Sequence, residues 1–184
     1  MNKSPFKSQV SILLFSALFA SCSARSTPNG LTTGNVQLTF QPVVNPVTVH
    51  STNEAAMASL GGKLPPNLEI LKYIERRTNG DTVQGWFVVE KTPIITRIDI
   101  QSARAMQSMQ GRGYNVALKL NPKAAEKFRE WTKANSGNCL AIVLDGVVIS
   151  APVIRGEIPD GFVIIDGNFT KEEAENLSLK LRRG

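Results

Sequence analysis

Very few residues of this chain belong to the types that catalyse reactions or bind metals. The 184 residues include one histidine, His50, and two cysteines, Cys22 and Cys139. This supply is too small for most metal sites with several His or Cys ligands. The sequence contains no G-x-S-x-G, H-E-x-x-H or C-x-x-C motif, and no carboxylate pair has a spacing that suggests acid–base catalysis. We therefore predict a non-enzymatic protein without a metal or cofactor.

Cys22 has the most specific sequence context of these three residues. An apolar run over residues 10–20 follows a short segment that carries Lys3, Lys7 and no acidic residue. The run would form about 16 Å of helix, which is too short to cross a hydrocarbon core of about 30 Å. This arrangement is typical of a secretory signal peptide, which we assign to residues 1–21.

The end of that segment, Phe19-Ala20-Ser21-Cys22, resembles the lipobox of bacterial lipoproteins. The resemblance implies that Cys22 becomes the acylated first residue of the mature protein, which anchors it to the cell envelope on the periplasmic side of the inner or outer membrane. Phe19 departs from the usual leucine, so cleavage and secretion without a lipid is the alternative. Residues 22–34 are small, polar and interrupted by Pro28 and Gly30, which predicts a flexible tether.

The charge of the mature chain is modest. The formal net charge is +6, and it falls to +4 once the signal peptide with its two lysines is removed. Outside the cytoplasm such a charge gives little reason to expect a nucleic-acid partner.

The mature chain after the tether, residues 35–184, is long enough to form one domain with a substantial core.

The first half of this domain shows mixed signals. Three stretches are predicted as strands: Asn35–Gln41, Trp86–Glu90 and Ile94–Ile98. A short helix is predicted to begin at Thr52 and to end at Leu60, before two glycines. Asp99–Met109 is predicted as a helix, because Ala103, Met106 and Met109 recur at helical spacing and would face the core. The apolar residues over 68–74 fit neither the helical nor the strand period, so the secondary structure of this segment is not assigned.

The second half is more regular. Four stretches are predicted as strands: Tyr114–Leu120, Leu140–Leu144, Val147–Ile149 and Phe162–Ile165. Asn121-Pro122 predicts the start of a helix that reaches Asn135, and Thr170 with Glu173 forms a capping box that opens the last helix. Asp145-Gly146 predicts a two-residue hairpin turn, which is a structural role. The order of elements predicts an α+β fold with helices on one face of a mixed or antiparallel sheet.

Several segments of the second half resemble one known family. The resemblance is carried by Leu140–Ile154 (LAIVLDGVVISAPVI), Gly167–Thr170, Glu172–Ala174, Asn121–Phe128 and Glu90–Thr96, with weaker similarity at Asn35–Gln41. These segments are similar to SecD, the accessory subunit of the bacterial preprotein translocase. The matching part is the head of its first periplasmic domain, and the similarity extends over most of the mature chain.

The resemblance implies a function in protein export. The SecD periplasmic domain is thought to contact polypeptide that emerges from the channel, whereas the channel and proton-relay carboxylates lie in membrane helices that this sequence does not contain. We therefore expect a lipid-anchored protein that binds unfolded or exported polypeptide, or Sec translocase-type membrane subunits. An exposed edge strand could receive such a polypeptide by strand addition. Candidate contact residues lie in and before a loop bounded by prolines: Ser150, Ala151, Pro152, Arg155 and Glu157.

Each of these assignments has a simpler alternative. Ser150-Ala151-Pro152 could have the purely structural role of ending a strand. His50 could be an exposed residue at a strand end. Cys139 precedes an apolar run and fits a buried, unreactive thiol. Trp86 and Trp131 fit the core or its boundary.

Two further functional classes compete with polypeptide binding. A structural adaptor would dock a membrane partner subunit and bind no client polypeptide. A secreted hydrolase would require a nucleophile, a base and an oxyanion site, for which the sequence offers no motif.

Overall fold

The strands of the domain form two sheets, and three helices pack against them. This computed structural model describes residues 36–44, 47–77, 80–109 and 113–182. The predicted signal peptide, the lipobox with Cys22 and the tether lie outside the described residues. Within the described ranges the elements are β1 (Leu38–Pro42), α1 (Asn53–Ser59), β2 (Leu68–Arg76), β3 (Thr82–Glu90), β4 (Ile95–Thr96), β5 (Ile100–Gln107), β6 (Tyr114–Leu120), α2 (Pro122–Ala134), β7 (Leu140–Leu144), β8 (Val147–Ser150), β9 (Phe162–Phe169) and α3 (Lys171–Arg182).

The larger sheet closes on itself. Its strand order is β3-β2-β8-β7-β1-β4, and every neighbouring pair is antiparallel except β2 with β8. Just after β1, Val43 forms an antiparallel bridge to Val89 of β3, and the Val44 N–H donates to the Val88 carbonyl at 3.0 Å. These bonds join the first and fifth strands of the order, so β3, β2, β8, β7 and β1 form a small barrel.

The barrel interior is filled by apolar side chains. The buried residues in it are Val43, Phe87, Val89, Cys139, Ala141, Val143 and Val148. The ring of Tyr73 meets Phe87 edge-on, with centroids 5.1 Å apart. Burial, together with a hydrogen bond to Glu75, raises the pKa of Tyr73 to about 12. The name barrel interior refers to the buried residues of this cluster, from Val43 to Val148.

The second sheet is antiparallel, in the order β5-β6-β9. The main core lies between this sheet, helices α2 and α3, and the outer face of β1 and β7. Its largest fully buried side chains include Phe40, Phe128, Leu118, Ile165 and Leu177. Because β7 faces the barrel interior on one side and the main core on the other, it reads as a continuous apolar run.

The predicted helix starts are confirmed. The Asn121 side-chain oxygen accepts a hydrogen bond from the Ala124 N–H at 2.9 Å, as expected of an N-cap before Pro122. At α3, the Thr170 N–H donates to Glu173, and the Glu173 N–H donates to the Thr170 hydroxyl. This is the reciprocal pair of a capping box.

The predicted helix over Asp99–Met109 is wrong. A 3₁₀ turn over Arg97–Asp99 is followed by strand β5, and Met109 is 92% exposed. The strand alternates, with Ala103 buried and Ala105 packed against the same core, but a bulge follows Ile100. The helical spacing of Ala103, Met106 and Met109 does not correspond to one buried face, because Ala103 is buried, Met106 is half-buried and Met109 is exposed. Pairing with β6 outweighs the helix propensity of this Ala- and Gln-containing segment.

The α+β class with mixed and antiparallel sheet is confirmed, and the structure adds that these are two separate sheets. The predicted strand over Ile94–Ile98 is shorter than expected, because only Ile95–Thr96 pair with β1. The open segment over residues 68–74 becomes β2, which pairs with β3 on one edge and with β8 on the other.

Candidate functional site

An open groove of about 470 Å³ lies between the barrel and the second sheet. One wall is the loop after β8, over residues 152–158, and the other is the first part of β9. The floor is apolar and is formed by Phe40, Phe128 and Ile142, whose side chains are almost completely buried. We refer to this feature as the groove.

The β9 wall exposes apolar side chains. Phe162 and Ile164 are each 43% exposed, whereas Ile165 is completely buried. On the same face of the sheet, the Arg104 guanidinium lies over the Phe162 ring, 5.9 Å from its centroid. Exposed apolar groups gathered at a concave site mark binding surfaces more often than scattered ones do.

The backbone of β9 is also open along this wall. In the described part of the chain, β9 pairs with β6 on one edge and with no strand on the other. Leu120 donates to the Gly161 carbonyl at 2.9 Å, so Gly161 belongs to a hydrogen-bonded pair. Because antiparallel pairs alternate, Val163 also bonds to β6, and Phe162 and Ile164 direct their N–H and C=O groups away from it. The groove therefore borders two donors and two acceptors of an edge strand.

The loop wall is held at both ends by hydrogen bonds. Ile154 donates to the Asn138 carbonyl, and its own carbonyl accepts from the Gly137 N–H, both at 2.8 Å. Further along, the Ile158 N–H donates to the Thr132 hydroxyl of α2 at 3.1 Å. A wall fixed in this way is preorganised, which lowers the entropic cost of binding an extended ligand.

Charged groups line the rim of the groove. Glu157 forms an ion pair with Arg129 of α2 at 2.9 Å, and Arg129 also bonds Glu126. The hydrogen bonds to Glu126 and Glu157 raise the pKa of Arg129, and the hydrogen bond from Arg129 lowers the pKa of Glu126. Arg155 is exposed, and its side chain forms no hydrogen bond or ion pair with the described residues.

Three of the five predicted contact residues line the groove. Pro152, Arg155 and Glu157 belong to its loop wall. Ser150 ends β8, and Ala151 packs against the barrel interior, so neither lines the groove.

The turn residues lie elsewhere. Asp145 and Gly146 connect β7 to β8 with φ of 48° and 80°, both in the left-handed region. Asp145 also fixes the start of β1, because its carboxylate accepts a hydrogen bond from the Gln37 N–H at 2.9 Å.

The few residues suited to catalysis are dispersed. His50 pairs with Trp86 through two backbone hydrogen bonds of 2.9 Å, on the barrel wall. Cys139 is a buried thiol whose pKa is raised by burial. Among the described residues, no three His, Cys, Asp or Glu side chains are grouped so that they could hold a metal ion.

Sequence reasoning missed the β9 wall. The stretch Phe162–Ile165 was predicted only as a strand, yet it contains four consecutive apolar residues. In a strand with one buried face, alternation would require two of the four to be polar. That excess of apolar residues was the signal, and it falls on Phe162 and Ile164.

The sequence matches one family model and several relatives from that family. Residues 70–184 match the family model described as SecDF, P1 head subdomain. Protein translocase subunit SecD of Aquifex aeolicus is 45% identical over 122 residues, which are 66% of this chain and 23% of that protein. The SecD subunit of Rhodobacter capsulatus is 34% identical over 149 residues, which are 80% of this chain and 24% of that protein. The chain thus spans about a quarter of the length of these relatives.

Solved structures give the same result. One described as "Structure and function of a membrane component SecDF that enhances protein export" superposes with a TM-score of 0.56 at 31% identity. The match covers 82% of this chain and 63% of that one. In the described part of this chain, no helix is long and apolar enough to cross a membrane. With the family model matching more than half of its length, this chain belongs to the SecDF P1 head subdomain family.

Proposed function

We propose that this protein is a lipid-anchored envelope protein that binds unfolded polypeptide in its groove, in support of protein export. The observation that carries the proposal is the open apolar groove beside the free edge of β9, where Phe162 and Ile164 are each 43% exposed. The relatives are named as subunits of the protein translocase, and a similar structure is described as enhancing protein export.

The groove suits an extended chain better than a compact small molecule. Its walls run along a strand and a loop, and the strand offers unpaired backbone groups to a partner. An unfolded polypeptide carries both the apolar side chains that fit the floor and the backbone groups that pair with the strand.

Binding is tested with a chemically unfolded, fluorescently labelled protein and the purified domain. Ile164→Asp places a charge on the groove wall, and we expect binding to weaken at least about ten-fold, which corresponds to about 1.4 kcal/mol. Ile98→Asp is the matched control, because Ile98 is 85% exposed and does not line the groove. Absence of binding by the wild type at high micromolar concentration would refute the proposal.

The anchor is tested separately. Acylation of Cys22 would place the domain on the periplasmic side of the inner or outer membrane, at the end of a tether. In a bacterial host we expect the wild type in the membrane fraction, with an acylated N-terminal peptide by mass spectrometry. Cys22→Ala should release the domain or leave the precursor uncleaved. An intact Met1 in the mature wild-type protein would contradict this part of the proposal.

The structural adaptor is the alternative, and it predicts a different set of partners. Pull-down from solubilised membranes with the full chain separates the two. A single stoichiometric membrane subunit that is retained by Ile164→Asp favours the adaptor. Many unrelated exported chains that are lost in Ile164→Asp favour polypeptide binding.

A further inference from the structure

Among the described residues that line the groove, one charged side chain is free to pair with a ligand. Glu157 is held in an ion pair with Arg129 at 2.9 Å, and Arg129 is shared with Glu126. Arg155, on the same wall, is exposed, and the described residues provide it with no hydrogen bond or ion pair. Arg155 is therefore the charged group on this wall that a ligand can pair with without breaking an existing ion pair.

The length of the open strand edge is limited by the fold. Phe162, Val163 and Ile164 line the groove, but further along β9 the Asn168 side chain donates to the Arg77 carbonyl at 3.0 Å. Arg77 directly follows β2, so this bond ties the second half of β9 to the barrel. Only the first half of the strand is left for a ligand, which restricts pairing to a few residues.

An added strand would present its side chains to two different surfaces. Alternate side chains would lie beside Phe162 and Ile164 on the outer face, and the others would face the apolar floor. Arg155 stands across the groove from β9, on the loop wall. A carboxylate of the ligand could approach Arg155 from the strand position without leaving the solvent.

From this geometry we infer that the groove binds a short extended segment as an additional strand on β9, and that Arg155 selects segments in which an acidic residue accompanies the apolar ones. The inference rests on the proposed function, since it specifies which polypeptide the same groove prefers. Phe162 and Ile164 supply the main-chain hydrogen bonds, and the loop wall supplies the charge.

The selectivity is tested by fluorescence anisotropy with two peptide sets. Each set is a short Val/Ser peptide in which one position at a time carries Glu in the first set and Lys in the second. For the wild type we expect the best Glu peptide to bind about two- to five-fold more tightly than its Lys counterpart, as for an exposed ion pair. This preference should decrease as the salt concentration rises.

Charge reversal provides the decisive variant. Arg155→Glu should reverse the order of the best Glu and Lys peptides, whereas Lys72→Glu, an equal charge change at an exposed position of β2 outside the groove, should leave the order unchanged. Thermal melting of both variants confirms that they are folded. Equal binding of the two sets by the wild type, or an unchanged order in Arg155→Glu, would overturn the inference.

The strand mode has its own test. N-methylation of consecutive amides in the best Glu peptide removes its main-chain donors, and we expect about a ten-fold loss of affinity. Unchanged affinity of the methylated peptide would overturn the strand mode. If unfolded protein binds but the peptides show no charge preference, the selectivity fails and the proposed function stands. If nothing binds, both fail.

Discussion

The barrel interior and the groove lie on opposite sides of one strand. Alternate residues of β7, Ala141 and Val143, face the barrel interior, and the intervening Leu140 and Ile142 contribute to the groove. The residue types on the two sides are equally apolar. The barrel interior is filled, whereas on the other side Leu140 and Ile142, themselves only 4% and 2% exposed, lie beneath a groove that is open to solvent.

The difference arises from what closes each side. The barrel is closed by backbone pairing of Val43 and Val44 with β3, and by the Gln41 side chain, which donates to the Glu90 carbonyl at 3.0 Å. At the groove, the loop wall is bonded to Gly137, Asn138 and Thr132, not to β9. Among the described residues, hydrogen bonds of the main chain hold each groove wall in place, and none joins one wall to the other. Apolar composition alone therefore does not distinguish core from binding surface in this protein.

Truncation of a barrel side chain should have the largest effect. Phe87 is 3% exposed, and Phe87→Ala is expected to lower the free energy of unfolding by about 3–5 kcal/mol through lost contacts and a cavity. Ile164→Ala on the groove wall should cost less than about 1 kcal/mol, since its side chain is already 43% exposed. Urea denaturation measures the free energy of unfolding of both variants. Similar costs for the two variants would contradict the distinction between a filled and an open side.

A smaller effect is expected where the β9 wall meets α2. Gly161 has a φ of 57°, and an added Cβ would lie 2.5 Å from the Ala125 Cβ. Gly161→Ala should therefore destabilise by about 1–3 kcal/mol, because it combines backbone strain with overpacking. Gly137→Ala is the control: its φ is also positive, at 90°, but nothing lies within 4 Å. The difference between the two midpoints of urea denaturation reports the cost of steric overlap at residue 161. Equal midpoints would argue against a close contact with Ala125.

The smallest expected effect is on the pH dependence of stability, and it arises from Tyr73 of the barrel. The pKa of Tyr73 is raised to about 12 in the folded state, above the value of about 10 expected in the unfolded chain. Its contribution is therefore fully present below pH 10 and is lost as the pH rises towards 12, because the unfolded state releases the proton first. Tyr73→Phe should flatten the decline of stability with pH in that window. An identical decline in both proteins would show that Tyr73 is not buried as described.

The sequence predicted the candidate site only in part. Pro152, Arg155 and Glu157 were predicted because prolines bound their loop and because the segment before it resembles SecD, and the structure places these three residues on the groove wall. Ser150 and Ala151 share that motif but do not line the groove, since one ends β8 and the other packs against the barrel interior. The opposite wall was not predicted as part of a site, because a strand pattern does not reveal which edge of a sheet remains unpaired.

The sequence by itself determined the features that depend on neighbouring residues: the cap at Asn121, the capping box at Thr170 and Glu173, and strands such as Leu140–Leu144. These rest on bonds and periods within a few residues, which composition and spacing encode directly. Only the tertiary structure decided that β5 is a strand, that Val43 meets Val89 to close the barrel, and that Phe162 and Ile164 remain exposed. Each of these depends on partners far away in the chain, and pairing between distant segments outweighs local preference.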